Sequence, residues 1–228
     1  MTINWLRLCV LCILAIPLTG CADIWLGEEE QGVRIVGKRL PVIGDRPELA
    51  VDPIMADVPV DLPESWENAY WPQTGGYADH AMGHLALGTD LNVVWRVDTG
   101  AGGYGESRLL AQPIVVDDRI FTLDTEGRLS AFDAETGRHI WKVLVTPPGE
   151  EADPLGGGIA FSDGQLFVTA GFNEVISVDP DNGGLFWRHA TGSPVRSAPT
   201  AVRGRVYAVT LDNRTRAIST GDGSLLWT

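Results

Sequence analysis

The sequence predicts an all-β fold assembled from repeated four-stranded antiparallel units, and three observations carry that expectation. The stretch AFDAETGRHIW (Ala131–Trp141) returns as SVDPDNGGLFW (Ser177–Trp187) and again as AISTGDGSLLW (Ala217–Trp227). The closing tryptophans, Trp141, Trp187 and Trp227, are 46 and 40 residues apart, a period that suits a propeller blade and not a helical repeat. Between them lie short segments in which apolar residues alternate with polar or small ones, and no unit holds a run of helical periodicity ten residues long.

Within each unit the elements follow in order. RIFTLD, QLFVTA and RVYAVT have the two-residue period of a strand, as do RLSAFD and EVISVD after them. Tight turns are marked at fixed offsets from the tryptophan. Asp118, Gly164 and Gly204 stand 23 residues before it, and Gly127, Asn173 and Asn213 stand 14 before it. Gly137, Gly183 and Gly223 stand four before it. Glycine and asparagine accept φ > 0 at small cost and aspartate favours tight turns, so these positions read as hairpin bends. Four antiparallel strands joined by three such turns make a β-propeller blade. The fourth strand is the outer one, and its tryptophan is large enough to reach the neighbouring blade. The glycine four residues earlier shapes the turn that aims it. One tryptophan per blade is therefore expected as an inter-blade bolt in the core, in preference to a ligand-stacking ring.

Ahead of the first unit, LNVVWRVDTG (Leu91–Gly100) reads as an isolated fourth strand, with Trp95 another 46 residues before Trp141. About three blades plus this leading strand fill residues 91–228, whereas a closed propeller needs at least four blades. The expectation is an incomplete ring, truncated after Trp227, that would not fold as a stable monomer by itself.

The N-terminus has the marks of a targeting segment. Arg7 precedes the apolar run LCVLCILAIPL (Leu8–Leu18), long enough for a signal-peptide core and too short to cross a bilayer. LTGC (Leu18–Cys21) follows, a lipoprotein-type cleavage site that would leave Cys21 as an acylated N-terminus; the alternative is an ordinary signal peptide cut nearby. Once Cys9 and Cys12 depart with the signal, Cys21 is the one remaining cysteine, so no internal disulfide can form. Ala22, standing where an aspartate often retains bacterial lipoproteins in the inner membrane, points to outer-membrane sorting. The divisions expected are a signal peptide over 1–20, a lipidated N-terminus with a flexible, Pro-rich and acidic tether over 21–65, a lead-in over 66–90 and the partial propeller over 91–228. The tether could instead pack along the globular body.

Composition excludes one class of partner. Lys plus Arg number 17 against 30 Asp plus Glu, a net charge of -13, which repels phosphate backbones, so no nucleic-acid partner is expected. Chemistry-bearing motifs are weak. His80 and His84 are four apart, with Met82 and Gly83 between them, which argues against a helical metal site. GAGGYGES (Gly100–Ser107) and PLGGG (Pro154–Gly158) read as blade-to-blade loops and not as phosphate cradles. Asp212–Arg214 and Phe172–Glu174 contain ligand-type residues, but at a turn where Asn serves φ > 0. His189 has no visible partner. No catalytic residue, metal ligand or cofactor is assigned.

Ala131, Asp133, Thr136, Gly137 and Trp141 match in full the tryptophan-docking pattern of pyrroloquinoline-quinone-type propellers, which the repeat resembles. The second copy departs at Ser177 and Asn182, the third at Ser219 and Asp222. Quinone-dependent dehydrogenases of this type carry a calcium site, a catalytic aspartate and often a vicinal cysteine pair, and the mature chain has no such pair. Lipobox, acidic tether, docked propeller and the lead-in WPQTGGYADHAMGHLAL (Trp71–Leu87) together resemble the BamB family of lipoproteins from the outer-membrane β-barrel assembly machinery. That resemblance implies a non-catalytic scaffold, anchored in the membrane through its N-terminal lipid. Its partners would be the barrel-forming subunit and the other lipoproteins of the complex, with sheet edges offered to substrate chains. It places the main partner-contacting loops beyond Thr228. The alternatives are a lipid-anchored quinone-dependent dehydrogenase and a periplasmic ligand-sensing propeller.

Overall fold

The computed structural model describes residues 52–103, 108–147, 149–150 and 156–228. The signal segment, Cys21 and most of the tether lie outside the described residues, as do 104–107 of the first glycine-rich loop. No helix among the described residues is long and apolar enough to cross a membrane.

Residues 60–228 form one compact unit. It contains three four-stranded antiparallel sheets, each a simple meander. The first has β1 (Ile114–Val116), β2 (Arg119–Leu123), β3 (Arg128–Asp133) and β4 (His139–Leu144). The second has β5 (Gly158–Ser162), β6 (Gln165–Thr169), β7 (Glu174–Val178) and β8 (Leu185–Ala190). The third has β9 (Thr200–Val202), β10 (Arg205–Val209), β11 (Thr215–Ser219) and β12 (Leu225–Trp227). This is an all-β fold of propeller blades, three of them present.

The first hairpin of each blade is a two-residue turn. Val116 pairs with Arg119, Ser162 with Gln165 and Val202 with Arg205. Both turn residues have positive φ, 49° and 58° at Asp117 and Asp118, and 52° and 76° at Asp163 and Gly164. Such turns match the right-handed twist of the strands they join. The next turn is less uniform. Asn213 has φ of 60°, but Asn173 does not take a positive φ; Gly171 does, at 77°. The expectation that asparagine serves φ > 0 at both places holds only for Asn213, because Gly171 gives the second blade a less strained alternative.

Each sheet carries the same cross-strand row. Phe121 pairs with Ala131, which pairs with Trp141; Phe167, Ser177 and Trp187 repeat it, and so do Tyr207, Ala217 and Trp227. The small middle residue lets the two rings approach over it, at centroid distances of 5.9, 5.8 and 6.0 Å. The register shifts immediately beside the small residue in all three blades. A bulge bends its strand and re-aims a side chain, here the tryptophan.

Sheet alternation divides the core between the blades. Ile159, Leu166, Val168, Ile176 and Val178 of the second sheet pack with Ile114, Phe121, Leu129 and Trp141 of the first. Their alternates Ala160, Phe167 and Val175 pack with Ala201, Val206, Ala208 and Ile218 of the third. The second blade thus packs a neighbour on each face, and its middle strands β6 and β7 are buried on both sides while β8 stays exposed or half-buried. The segment around Trp95 forms no strand, contrary to the reading of a fourth strand there. A strand needs a ladder partner, and no strand among the described residues pairs with it.

Candidate functional site

The repeated residues meet at the blade interfaces, where Trp95, Trp141 and Trp187 each enter a socket on the following blade. The indole N–H of Trp95 donates to the carbonyl of Ala134 at 3.1 Å, that of Trp141 to Pro180 at 2.9 Å and that of Trp187 to Thr220 at 3.0 Å. In each case the acceptor opens the turn between the third and fourth strands. The floor of the socket is a glycine. A Cβ on Gly137 would stand 2.7 Å from the Trp95 ring, on Gly183 2.9 Å from Trp141 and on Gly223 2.7 Å from Trp187. These glycines have φ of 71°, 76° and 70°, a region that L side chains enter with strain. Gly137, Gly183 and Gly223 therefore shape the turn before their own tryptophan and also receive the tryptophan of the preceding unit. Trp95 occupies the first socket without belonging to a strand. Trp227 meets no following turn among the described residues and is 48% exposed, against 8% for Trp141.

Neighbouring side chains reinforce the sockets. The Pro180 carbonyl also accepts from Arg119 at 2.9 Å, and the same guanidinium reaches Asp181 at 2.6 Å. His189, two residues after its tryptophan, donates through Nδ1 to the Gly223 carbonyl at 2.7 Å. The reading that left His189 unpartnered is corrected here, because its partner lies on the next blade and sequence spacing does not show it. The turn itself is held by a carboxylate. Asp133 accepts from the Thr136 hydroxyl at 2.7 Å and its N–H at 2.9 Å, and these two hydrogen bonds, helped by Arg138, hold its carboxyl below the usual range. In the third blade Ser219 stands at the aspartate position. Asp222 takes over, accepting from the Ser224 N–H at 3.1 Å and hydroxyl at 2.8 Å, and is likewise lowered.

The structure places the other candidates apart. His80 donates through Nδ1 to the Thr74 carbonyl and His84 to the Pro63 carbonyl, both at 2.8 Å, so each imidazole braces a different piece of backbone. Among the described residues no three His, Cys, Asp or Glu side chains gather where a metal ion could be held. Gly100 lies against the buried Asp124, which accepts the Ala101 N–H at 3.0 Å. Gly157 donates to the Arg196 carbonyl at 2.7 Å, and a Cβ on Gly158 would stand 2.4 Å from that of Ala198. The glycines at 156–158 serve close backbone approach, whereas Gly100 leaves room for the Asp124 carboxylate. Asp212 is lowered chiefly by the Thr210 hydroxyl, with Arg214 and Arg216 adding to it. Glu174 is raised because burial outweighs its ion pair with Arg188. An open groove of about 540 Å³ lies between Tyr77 and Asp79 of the lead-in and Arg203, Arg205 and Tyr207 of the third blade.

Sequence reasoning missed the aromatic partners Phe121, Phe167 and Tyr207, although each lies 20 residues before its tryptophan and shares the repeat's register. Arg119 and Gln73 carried no such signal.

Two outcomes test the sockets. Gly164 has φ of 76° and nothing within 4 Å of an added Cβ, so it is a control for Gly183 at the same backbone angle. Gly164→Ala and Gly183→Ala should share a left-handed strain of ~1–2 kcal/mol. Gly183→Ala should lose a further ~1–3 kcal/mol by overpacking against the indole, read as a lower denaturation midpoint at constant m. Equal losses would remove the socket role of Gly183. The lowered carboxyl of Asp133 gives a second test. Its folded-state value lies below the unfolded one, so its contribution is present above the unfolded value and lost as pH falls through the folded one. Asp133→Asn should flatten the fall of stability with acidification below the ordinary carboxylate range, checked by denaturant melts across that range.

The geometry has relatives. A family model described as outer membrane protein assembly factor BamB matches residues 125–228, and one described as the β-propeller domain of glucose/ethanol/alcohol dehydrogenases matches 89–160. The chain is 30% identical to the outer membrane protein assembly factor BamB of Bordetella pertussis over 152 residues, 66% of this chain and 36% of that protein. It is 25% identical to the Burkholderia pseudomallei protein of the same name over 139 residues, 61% of this chain and 34% of the other. The chain thus spans about a third of the length of the curated relatives it matches. Among solved structures it resembles the quinohemoprotein alcohol dehydrogenase of Comamonas testosteroni, with TM-score 0.58 and 20% identity over 72% of this chain and 27% of that one, a likeness of fold. The socket residues of the second and third blades lie inside the 125–228 match, so this part of the chain is similar to the BamB-like PQQ-type propeller repeats.

Proposed function

We propose that the protein is a non-catalytic scaffold of the outer-membrane β-barrel assembly machinery, anchored in the outer membrane by acylation of Cys21 and facing the periplasm. Its propeller holds the barrel-forming subunit, alongside the complex's other lipoproteins, and so aids insertion of outer-membrane proteins. One observation carries this reading: the match to the assembly-factor family covers the two blades whose sockets are built from Gly183 and Gly223. The roles of Trp95, Trp141, Trp187 and Trp227 in this reading are structural, as blade-docking residues with no ligand. In support, the polar groups that the sequence offers for chemistry are engaged in holding the body together. His189 binds the next blade, His80 and His84 brace the lead-in, and Asp133 and Asp222 close turns.

The match of residues 89–160 to a dehydrogenase propeller makes a lipid-anchored quinone-dependent dehydrogenase the second reading. One set of measurements on the full-length protein separates the two. Purified barrel-forming subunit should be retained by immobilised full-length protein, and dye-linked alcohol or sugar oxidation should stay at background after incubation with the quinone and Ca²⁺. Cys21→Ser should abolish incorporation of labelled palmitate and release the protein from the membrane fraction. Quinone-dependent turnover without retention of the subunit would replace the scaffold reading by the enzyme one, and unchanged palmitate labelling in Cys21→Ser would remove the lipid anchor.

A further inference from the structure

The first strands of successive blades lie against one another between sheets, β1 with β5 and β5 with β9, and β2 also approaches β5. In each meander the first strand has a neighbour on one side only, which leaves its other edge with unpaired backbone groups. The lead-in meets all three edges with three consecutive residues. Trp71 exchanges both backbone hydrogen bonds with Val115 of β1, at 2.8 and 2.9 Å. The Pro72 carbonyl accepts the N–H of Phe161 in β5 at 2.7 Å. Gln73 then reaches β9 with its side chain. Its Oε1 accepts the Ala201 N–H at 3.1 Å, and its Nε2 donates to the Ala201 carbonyl at 3.3 Å.

The three recipients are equivalent. Val115, Phe161 and Ala201 each lie 26 residues before the tryptophan of their own blade. One short segment therefore bonds the same register position of three successive blades. The backbone of Gln73 is not free to reach β9, because it closes a tight turn with Gly76 through bonds of 3.1 and 2.9 Å. Its primary amide, with one donor and one acceptor side by side, replaces the peptide group that a further strand residue would offer. Gln73 is 2% exposed, so the amide has exchanged water for Ala201. The turn beyond it is braced by the His80 Nδ1–H on the Thr74 carbonyl and by Met82, whose sulfur accepts the Tyr77 N–H at 3.3 Å.

We propose that residues 71–73 form a strap across the inner strands, which locks the three blades into one cooperative body and occupies inner edges otherwise open to another extended chain. The strap does not rest on the scaffold reading; it would work equally in an enzyme. It complements the tryptophan sockets, which join each blade to the next toward the outside of the sheets, by joining all three at the inner edge.

Amide hydrogen exchange resolved to single residues, on the full-length protein, tests it. In the unaltered protein the amides of Val115, Phe161 and Ala201 should open together, with one rate and one dependence on low denaturant. Gln73→Leu keeps the shape of the side chain and removes both bonds to Ala201. In that variant the Ala201 amide should exchange at least tenfold faster and separate from Val115 and Phe161, which keep their bonds to Trp71 and Pro72. Unchanged protection of Ala201 in Gln73→Leu would overturn the strap. Three amides that open independently in the unaltered protein, each with the rest of its own blade, would overturn it as well. That second measurement decides the matter even if the variant does not fold.

Discussion

A single contact, repeated, organises this molecule: an indole N–H reaching the carbonyl that opens the next blade's last turn, with the ring laid over a glycine. The hydrogen bond satisfies the one polar atom of a ring that is otherwise apolar. The glycine matters twice, because its left-handed backbone makes the turn and its missing Cβ leaves room for the ring. Removing either requirement would let another residue stand there. Together they leave glycine alone.

Much of the surrounding structure serves that contact. The bulge beside Ala131, Ser177 and Ala217 turns the tryptophan toward the neighbour. The small residue opposite it allows Phe121, Phe167 or Tyr207 to back the indole. The carboxylate of Asp133, or of Asp222 in the third blade, holds the turn whose carbonyl is the acceptor. His189 and Arg119 add polar bonds from the side. In the second blade β6 and β7 are buried along most of their length, since each face of the sheet meets a different neighbour.

The same economy accounts for where the histidines and carboxylates named above are engaged. Histidines and carboxylates here stabilise backbone carbonyls and N–H groups that tight turns would otherwise leave unpaired. Burial raises Glu174, yet its guanidinium partner Arg188 also donates to the Val145 carbonyl of the first blade, which makes the pair a link between blades. Fold likeness to a quinohemoprotein dehydrogenase and a repeat match to assembly factors are compatible, because one fold hosts different functions.

Sequence by itself determined the blade, its strands and the positions of Trp141, Trp187 and Trp227. These depend on local rules: a two-residue period, turn residues at fixed offsets, and one large ring per repeat. It also located the glycine four residues before each tryptophan, but assigned it only to its own turn. Tertiary structure decided what that glycine receives, since the ring above Gly183 comes from Trp141, 42 positions earlier. It decided that residues around Trp95 dock without forming a strand, because a ladder needs a partner and a socket does not. Asn173 was misjudged because its φ depends on whether a nearby glycine takes up the bend. Gln73 was invisible for a deeper reason: nothing in WPQTGG marks an amide that will stand in for a backbone group 128 residues away. Periodicity reports a residue's own strand, and only packing reports which distant edge lies beside it.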